Sequence, residues 1–397
     1  MNRMKLGEIL SVKHGWAFKG EYFAEDGEQS ILTPGNFFEK GGFKPNNGKE
    51  RYYTGVYPKE YLCHKGDLIV AMTQQAEGLL GSTALVPENN KYLHNQRIGL
   101  ITCDEKRLNK LFAYYLFMTK SVREQLERSS SGTKVKHTSP EKIYDVEVEI
   151  PDVISQQKIA NLLWSIDEKI ANNNAINDNL EQQAKLLYNY WFIQFNFPDE
   201  NGNPYHSSGG QLVWNKNLQQ EIPQDWRSGN LYDIADYING IACQKYRPSD
   251  EEHSLPVVKI REMNGGITND TERVSSTIPA KNIISSGDIL FSWSASLEVI
   301  MWYGVDAGLN QHIFKVVPKS YFSSEYVYLQ LSEYLIHFIK IAEARKTTMG
   351  HITSEHLQDS HIILPPANII KNFSEYVRPI YQMKKQIANE TSELIKL

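Results

Sequence analysis

Hydrophobic and polar positions fall into three textures along this chain. In the first, short apolar runs are cut by Gly-Asp and Asn-containing turns. Asp67-Leu68-Ile69-Val70-Ala71-Met72 is a continuous apolar run after a Gly-Asp turn and predicts a buried strand. Arg97-Ile98-Gly99-Leu100-Ile101 predicts a second strand. Leu108 to Leu126 carries Leu111, Tyr115, Met118, Val122 and Leu126 at helical spacing. A polar loop over Ser129 to Pro140 follows, then a half-buried strand in which Val146, Val148 and Ile150 alternate before Pro151. The same order returns later, with the equivalent helix predicted over Tyr326 to Ile341.

The second texture is helical. Ser155 to about Phe195 contains neither Gly nor Pro. Apolar residues fall at Ile159, Leu163, Ile166, Ile170, Leu180, Ala184, Leu187 and Trp191, and Asn173 and Asn177 complete a strict 4/3 alternation. That is a heptad seam, and about forty residues would make a rod roughly 60 Å long. After Pro365-Pro366 a shorter helix repeats the spacing with Phe373, Val377, Ile380, Ile387 and Leu394, with Lys384 and Thr391 between. Each helix alone would expose an apolar stripe, so the two are expected to pair. The third texture, Pro198 to Gln224, is rich in Asn, Gly, Ser and Pro and predicts a connector. Trp214 and Trp226 suggest that it packs onto something.

The chain also repeats itself. Gly7-Glu8-Ile9-Leu10 and Gly15 correspond to Tyr232-Asp233-Ile234-Ala235 and Gly240, and Gly41-Gly42 to Gly265-Gly266. Lys65 to Thr73 corresponds to Ser286 to Ser294, and His94 to Ile101 to Leu309 to Val317. Thr138-Ser139 before Pro151 corresponds to Thr353-Ser354 before Pro366. Five matches in one order, at an offset drifting from about 225 to about 215 residues, describe a duplicated domain of about 150 residues.

Composition narrows the function. The 397 residues are 41% hydrophobic and 22% charged, enough to fill real cores. The net charge of −5 excludes a uniformly basic coat, so any nucleic-acid contact must come from local basic loops. The three cysteines form no C-x-x-C pair, which argues against a disulfide framework or zinc ribbon. No apolar run approaches 18 residues, and the start MNRMKLGEIL lacks a signal-peptide core, so a soluble, cytoplasmic protein without a membrane partner is expected.

The order of domain, long helix, connector ending in Ile222-Pro223-Gln224-Asp225-Trp226, domain and long helix resembles the specificity (S) subunit of type I restriction–modification systems. Each domain carries the Gly-Asp strand, the Asn-Gln strand entrance and the Thr-Ser…Pro exit, and the likeness covers essentially the whole chain. It departs in the first copy, which starts at Leu6 without an IPxxW-type lead-in. The resemblance implies an α+β fold: two repeated β-rich mixed target recognition domains separated by two long coiled-coil helices in antiparallel pairing. The expected boundaries are 1–152 for the first target recognition domain, 153–197 for the central helix, 198–225 for the connector, 226–366 for the second domain and 367–397 for the distal helix. It further implies that each domain reads one half of a split, asymmetric site on double-stranded DNA. The helices would set the gap and dock two methyltransferase subunits, which restriction subunits join. The chain itself would be non-catalytic and hold no cofactor, with S-adenosylmethionine, ATP and Mg²⁺ on the partners. Two different readers on a stiff spacer would address half-sites about one DNA turn, roughly 34 Å, apart.

Candidate DNA contacts follow from residue chemistry. Arg128 to Pro140 has cations and no acid, with Lys134 and Lys136 as phosphate ligands, and Arg345, Lys346 and Thr347 occupy the matching place in the second copy. Asn and Gln suit adenine, and Arg and Lys suit guanine. That selects Gln74 and Gln75 after the first Gly-Asp strand, Trp293 and Ser294 after the second, and the pairs of strand entrances Asn95-Gln96-Arg97 and Asn310-Gln311-His312. Turn and strand-end hydrogen bonding is the plainer use of an Asn-Gln pair. Lys19, Lys245 and Arg247 are weaker candidates, and Trp16 to Phe23 forms an aromatic-rich loop. Partner docking falls to the seam residues Ile159, Leu163, Ile166, Ile170, Leu180, Leu187, Phe373, Val377, Ile380 and Ile387.

Catalytic signatures are weak. Asn203-Pro204-Tyr205 lacks one proline of an adenine-methyltransferase loop, and the chain has no G-x-G. Pro151-Asp152 with Asp167-Glu168-Lys169 mimics a nuclease signature, but the triplet falls on the predicted helix. His351, His356 and His361 are spaced by five, which does not gather ligands on one helical face. A protein-interaction scaffold with coiled-coil self-association is the main rival, and a metal-dependent nuclease a more distant one.

Overall fold

A computed structural model describes residues 2–46, 48–74, 76–132, 135–249, 253–294, 296–344 and 352–396. The chain divides into two compact units, Met1–Glu168 and Lys169–Leu397.

In the first unit the Gly-Asp turn starts the central strand. Gly66 takes φ 84°, open only to residues that tolerate the left-handed region, and the Asp67 carboxylate accepts the His64 N–H at 2.8 Å. The strand Leu68–Ala71 that follows is fully buried. It lies third in an antiparallel sheet whose order is Leu10–His14, Ile98–Cys103, Leu68–Ala71, Thr83–Leu85. A smaller sheet pairs Tyr52–Tyr53 with Ser30–Ile31, and Ser30–Ile31 runs parallel to Tyr92–Leu93. Asn2–Lys5 closes the domain against Glu147–Ile150.

The second unit rebuilds this plan. Gly287 takes φ 108°, and Asp288 accepts the Ser285 N–H at 2.7 Å. The sheet order is Ala235–Asn239, Ile313–Pro318, Ile289–Ser292, Glu298–Met301, all antiparallel. The smaller sheet pairs Ser254–Val258 with Arg273–Ser275 and, in parallel, with Ala307–Leu309. Arg227–Gly229 closes against Ile362–Leu364. The duplication read from the sequence is therefore a duplication of topology.

The helices follow the expected pattern with three differences. Leu108 to Leu126 is two helices, Lys110–Leu116 and Lys120–Ser129, because the Thr119 hydroxyl donates to Leu116 O at 2.7 Å and turns the chain between them. Its counterpart Ser324–Ala344 is continuous. The central helix runs Val153–Tyr188 and then widens into a π-turn, Asn189–Ile193. The wider turn lets the consecutive rings of Trp191 and Phe192 both bury, each 3% exposed. At its start the helix faces its own domain through Gln156 and Ala160, while Ile159, expected on the seam, is 43% exposed. Gln156 holds that orientation by donating to Arg107 O and Pro151 O and accepting the Asn109 N–H.

In the second unit the central helix pairs antiparallel with the distal helix Ala367–Lys396. Asn173 Nδ2 donates to Glu390 and Thr391, Lys384 bonds the Glu181 carboxylate, and the Trp191 and Phe192 rings pack on Phe373. As one helix ascends in number its partners descend. Leu180, Phe373 and Val377 are buried on this seam, and Ile170, Leu187, Ile380 and Ile387 are half-buried. Leu163 and Ile166, in the first unit, are also half-buried. The connector packs through Tyr205, Leu212, Val213 and Leu218, and Trp226 is buried, whereas Trp214 stays exposed.

Candidate nucleic-acid interface

A glycine and an Asn-Gln turn build the same corner in both domains. A Cβ on Gly15 would lie 2.1 Å from Asn95 O, and one on Gly240 the same distance from Asn310 O. The close approach lets Trp16 N–H reach His94 O and Ile241 N–H reach Leu309 O, each at 2.9 Å. Asn95 Oδ1 accepts the Arg97 N–H at 2.9 Å, and Asn310 Oδ1 accepts the His312 N–H at 3.3 Å. Both asparagines thus shape the turn. Gln96, Arg97 and His312 are exposed beyond it, and Gln311 is half-exposed.

Backbone bonds extend the equivalence to a neighbouring loop. Ile31 N–H donates to Arg51 O and Val257 N–H to Glu272 O, both at 2.8 Å. Thr33 N–H is capped by Asn36 Oδ1 at 2.8 Å and Lys259 N–H by Glu262 Oε2 at 3.2 Å. Thr33, Arg51 and Arg97 therefore correspond to Lys259, Glu272 and His312. In the first domain Thr33, Asn46, Lys49, Arg51 and Arg97 line a cavity of about 370 Å³. An adjoining cavity of about 230 Å³ shares Thr33, Arg51 and Arg97 and adds Phe18, Phe23, Asn95 and Gln96. Among the described residues, no ion pair or hydrogen bond engages the side chain of Lys49, Arg51 or Arg97. In the second domain Lys259 is paired with Glu272, and Arg261 with the buried Glu262.

The other expected residues distribute as follows. Trp293, Gln311 and His312 come together: the Trp293 ring lies 5.7 Å from His312 and donates its Nε1–H to Asn239, and Gln311 Nε2 lies 3.3 Å from His312 Nε2. Ser294 is buried. Gln74 donates its backbone N–H to Lys136 O, and its Oε1 is buried without a partner among the described residues. It lines a cavity with Lys40 and Arg123. Arg123 is structural: its guanidinium caps Phe117, Gly78 and Leu80 carbonyls, and burial pushes its pKa down to about 10. Lys136 is ion-paired with Glu127. Lys19, Lys245 and Arg247 are exposed. Gln75, Lys134, Arg345, Lys346 and Thr347 lie outside the described residues.

The sequence alone does not single out Thr33, Asn46, Lys49 and Arg51. Their signal was faint: Lys49-Glu50-Arg51 precedes Tyr52-Tyr53, but nothing in the spacing brings it to Arg97. The catalytic look-alikes have structural partners. Asp167 accepts the Tyr115 hydroxyl at 2.7 Å, Asp152 accepts the Ser155 N–H and hydroxyl, and His356 caps Thr353. Tyr205 stacks on Phe197. His351 lies outside the described residues. Among the described residues, no three His, Cys, Asp or Glu gather as a metal site, and no helix is long and apolar enough to cross a membrane.

The chain is similar to the specificity subunit of the type I restriction enzyme MjaIX of Methanocaldococcus jannaschii, 25% identical over 72% of this chain and 65% of the relative's length. It is also similar to the specificity subunit of the EcoBI enzyme of Escherichia coli, 21% identical over 100% of this chain and 83% of that one. The fold matches the crystal structure of a type I restriction–modification S subunit from M. genitalium with a TM-score of 0.59 and 15% identity, covering 99% of this chain and 92% of that one. The family model of the type I restriction modification DNA specificity domain matches twice, over residues 1–182 and 223–397, once for each copy of the repeat described above. A duplicated fold, a helix pair after its two copies and a family match on both halves make this chain a member of the type I restriction–modification specificity subunits.

Proposed function

We propose that this chain is the non-catalytic sequence reader of a type I complex, with each repeated domain reading one half of a split DNA target. The observation that carries this is the duplicated corner: equivalent close approaches at Gly15–Asn95 and Gly240–Asn310 present different side chains, Trp16 in one and Ile241 with Trp293 in the other. A constant scaffold with variable tips is what two independent specificities require. Methyltransferase and restriction subunits, carrying S-adenosylmethionine, ATP and Mg²⁺, supply the chemistry. The long helices set the spacing and dock the methyltransferases. Exposed apolar side chains at Leu162, Leu186, Ile193 and Tyr376 support that docking role, because large apolar groups on a helix surface are cheapest when covered by a partner.

Exchange of residues 226–366 for the same region of a subunit with a different target tests the reading. Methylation mapping should then show one half-site changed and the other retained. A change in both halves would contradict independent readers.

A further inference from the structure

We infer that Lys49, Arg51 and Arg97, with the Asn46 amide, form a clamp for a DNA backbone phosphate in the first domain, and that the described residues of the second domain hold no equivalent charged clamp. The inference rests on the proposed DNA-reading role and assigns the group that these residues hold.

Three cations line one cavity with two neutral polar side chains, and no described carboxylate neutralises any of the three. In a chain of net charge −5 this is a local reversal of sign. Guanidinium forks with an amide N–H match the oxygens of a phosphate, and an exposed unpaired cation gives up little when it binds one. The position is also held from beneath. Arg51 belongs to the backbone that bonds Ile31, and Arg97 follows the Asn95 turn, so the sheet fixes both Cα atoms while both side chains remain exposed.

The second domain supplies the contrast at the same backbone positions. Glu272 stands at the place of Arg51, Lys259 at that of Thr33 and His312 at that of Arg97. Lys259 is paired with Glu272, so the one cation gained is neutralised within the domain. Beside it are Trp293, Gln311 and His312, an aromatic and amide surface without a permanent charge. Among the described residues, this corner of the first domain thus carries the unpaired cations that the matching corner of the second lacks.

Binding of the chain, assembled with its methyltransferase subunits, to a target duplex and to an unrelated duplex across about 50–200 mM salt tests this. Arg51→Ala and Arg97→Ala should each flatten the slope of log affinity against log salt by about 1, and weaken both duplexes by the same factor. Arg51→Lys and Arg97→Lys should largely retain the slope, and Lys259→Ala should leave it unchanged. An unchanged slope in the alanine variants, or a loss confined to the target duplex, would overturn the clamp while leaving the reader role standing. A loss with Lys259→Ala equal to that with Arg51→Ala would overturn the asymmetry. Absence of any target preference in the unmodified complex would instead remove the reader role and the clamp together.

Discussion

His94 occupies the backbone position that Leu309 fills in the second domain, and both side chains are buried. The imidazole is 1% exposed, and its Nε2–H donates to Ile98 O at 2.8 Å. Burial holds its pKa down at about 4, against an ordinary 6.5. A histidine with a depressed folded pKa binds its proton more readily in the unfolded chain, so its contribution is complete above pH 6.5 and is lost as pH falls towards 4. That difference corresponds to about 3 kcal/mol. Thermal unfolding of the first domain should therefore fall steeply between pH 6.5 and 4, and His94→Leu should flatten that fall. Leucine is tolerable here because Ile98 O keeps the Gly15 N–H as a donor. An identical pH profile in the variant would show that another group titrates. The same comparison of repeats makes His94 a core residue, in contrast to Arg97 three positions on.

At the scale of elements, the two corners and the helix pair carry separate predictions. A methyl group on Gly240 would meet Asn310 O at 2.1 Å, well inside contact distance, so Gly240→Ala should cost about 1–3 kcal/mol in denaturant unfolding. Gly15→Ala should behave alike in its own domain; no loss in either would mean that the corner can open freely. In the helix pair, Glu181 is 16% and Lys384 15% exposed, and Glu181 also accepts the Tyr328 hydroxyl. Glu181→Ala would strand that cation and that hydroxyl, and should lower stability by about 2–4 kcal/mol. Adding Lys384→Met should restore part of the loss, because the unpaired charge is then gone. A double variant as unstable as the single would place the cost in packing instead. Asn173, read from sequence as a register-setting seam residue, does bond across the pair to Glu390 and Thr391.

For the molecule as a whole, the architecture was legible where covalent pattern and burial coincide. The Gly-Asp turns, the repeated Asn-Gln entrances and the 4/3 seam each state a local geometry that the fold keeps. Ile159 stays exposed because a heptad pattern does not say which neighbour the helix faces, and Gln156 anchors those turns to the first domain. The interface was less legible for a similar reason. Arg97 was visible beside a turn motif, whereas Arg51 reaches the same cavity only through the pairing of Ile31 with its neighbours. Charge pairing is equally invisible in composition: Lys136 and Lys259 are cations in sequence, yet Glu127 and Glu272 neutralise them in the fold. The central claim is that this chain supplies the sequence to a complex whose chemistry lies elsewhere. Co-expression with a candidate methyltransferase subunit, followed by mapping of methylated bases across the host DNA, tests it most directly. A split motif that appears with this chain and vanishes when it is omitted is the expected result. Stable assembly with methylation that is absent, or independent of this chain, would contradict it.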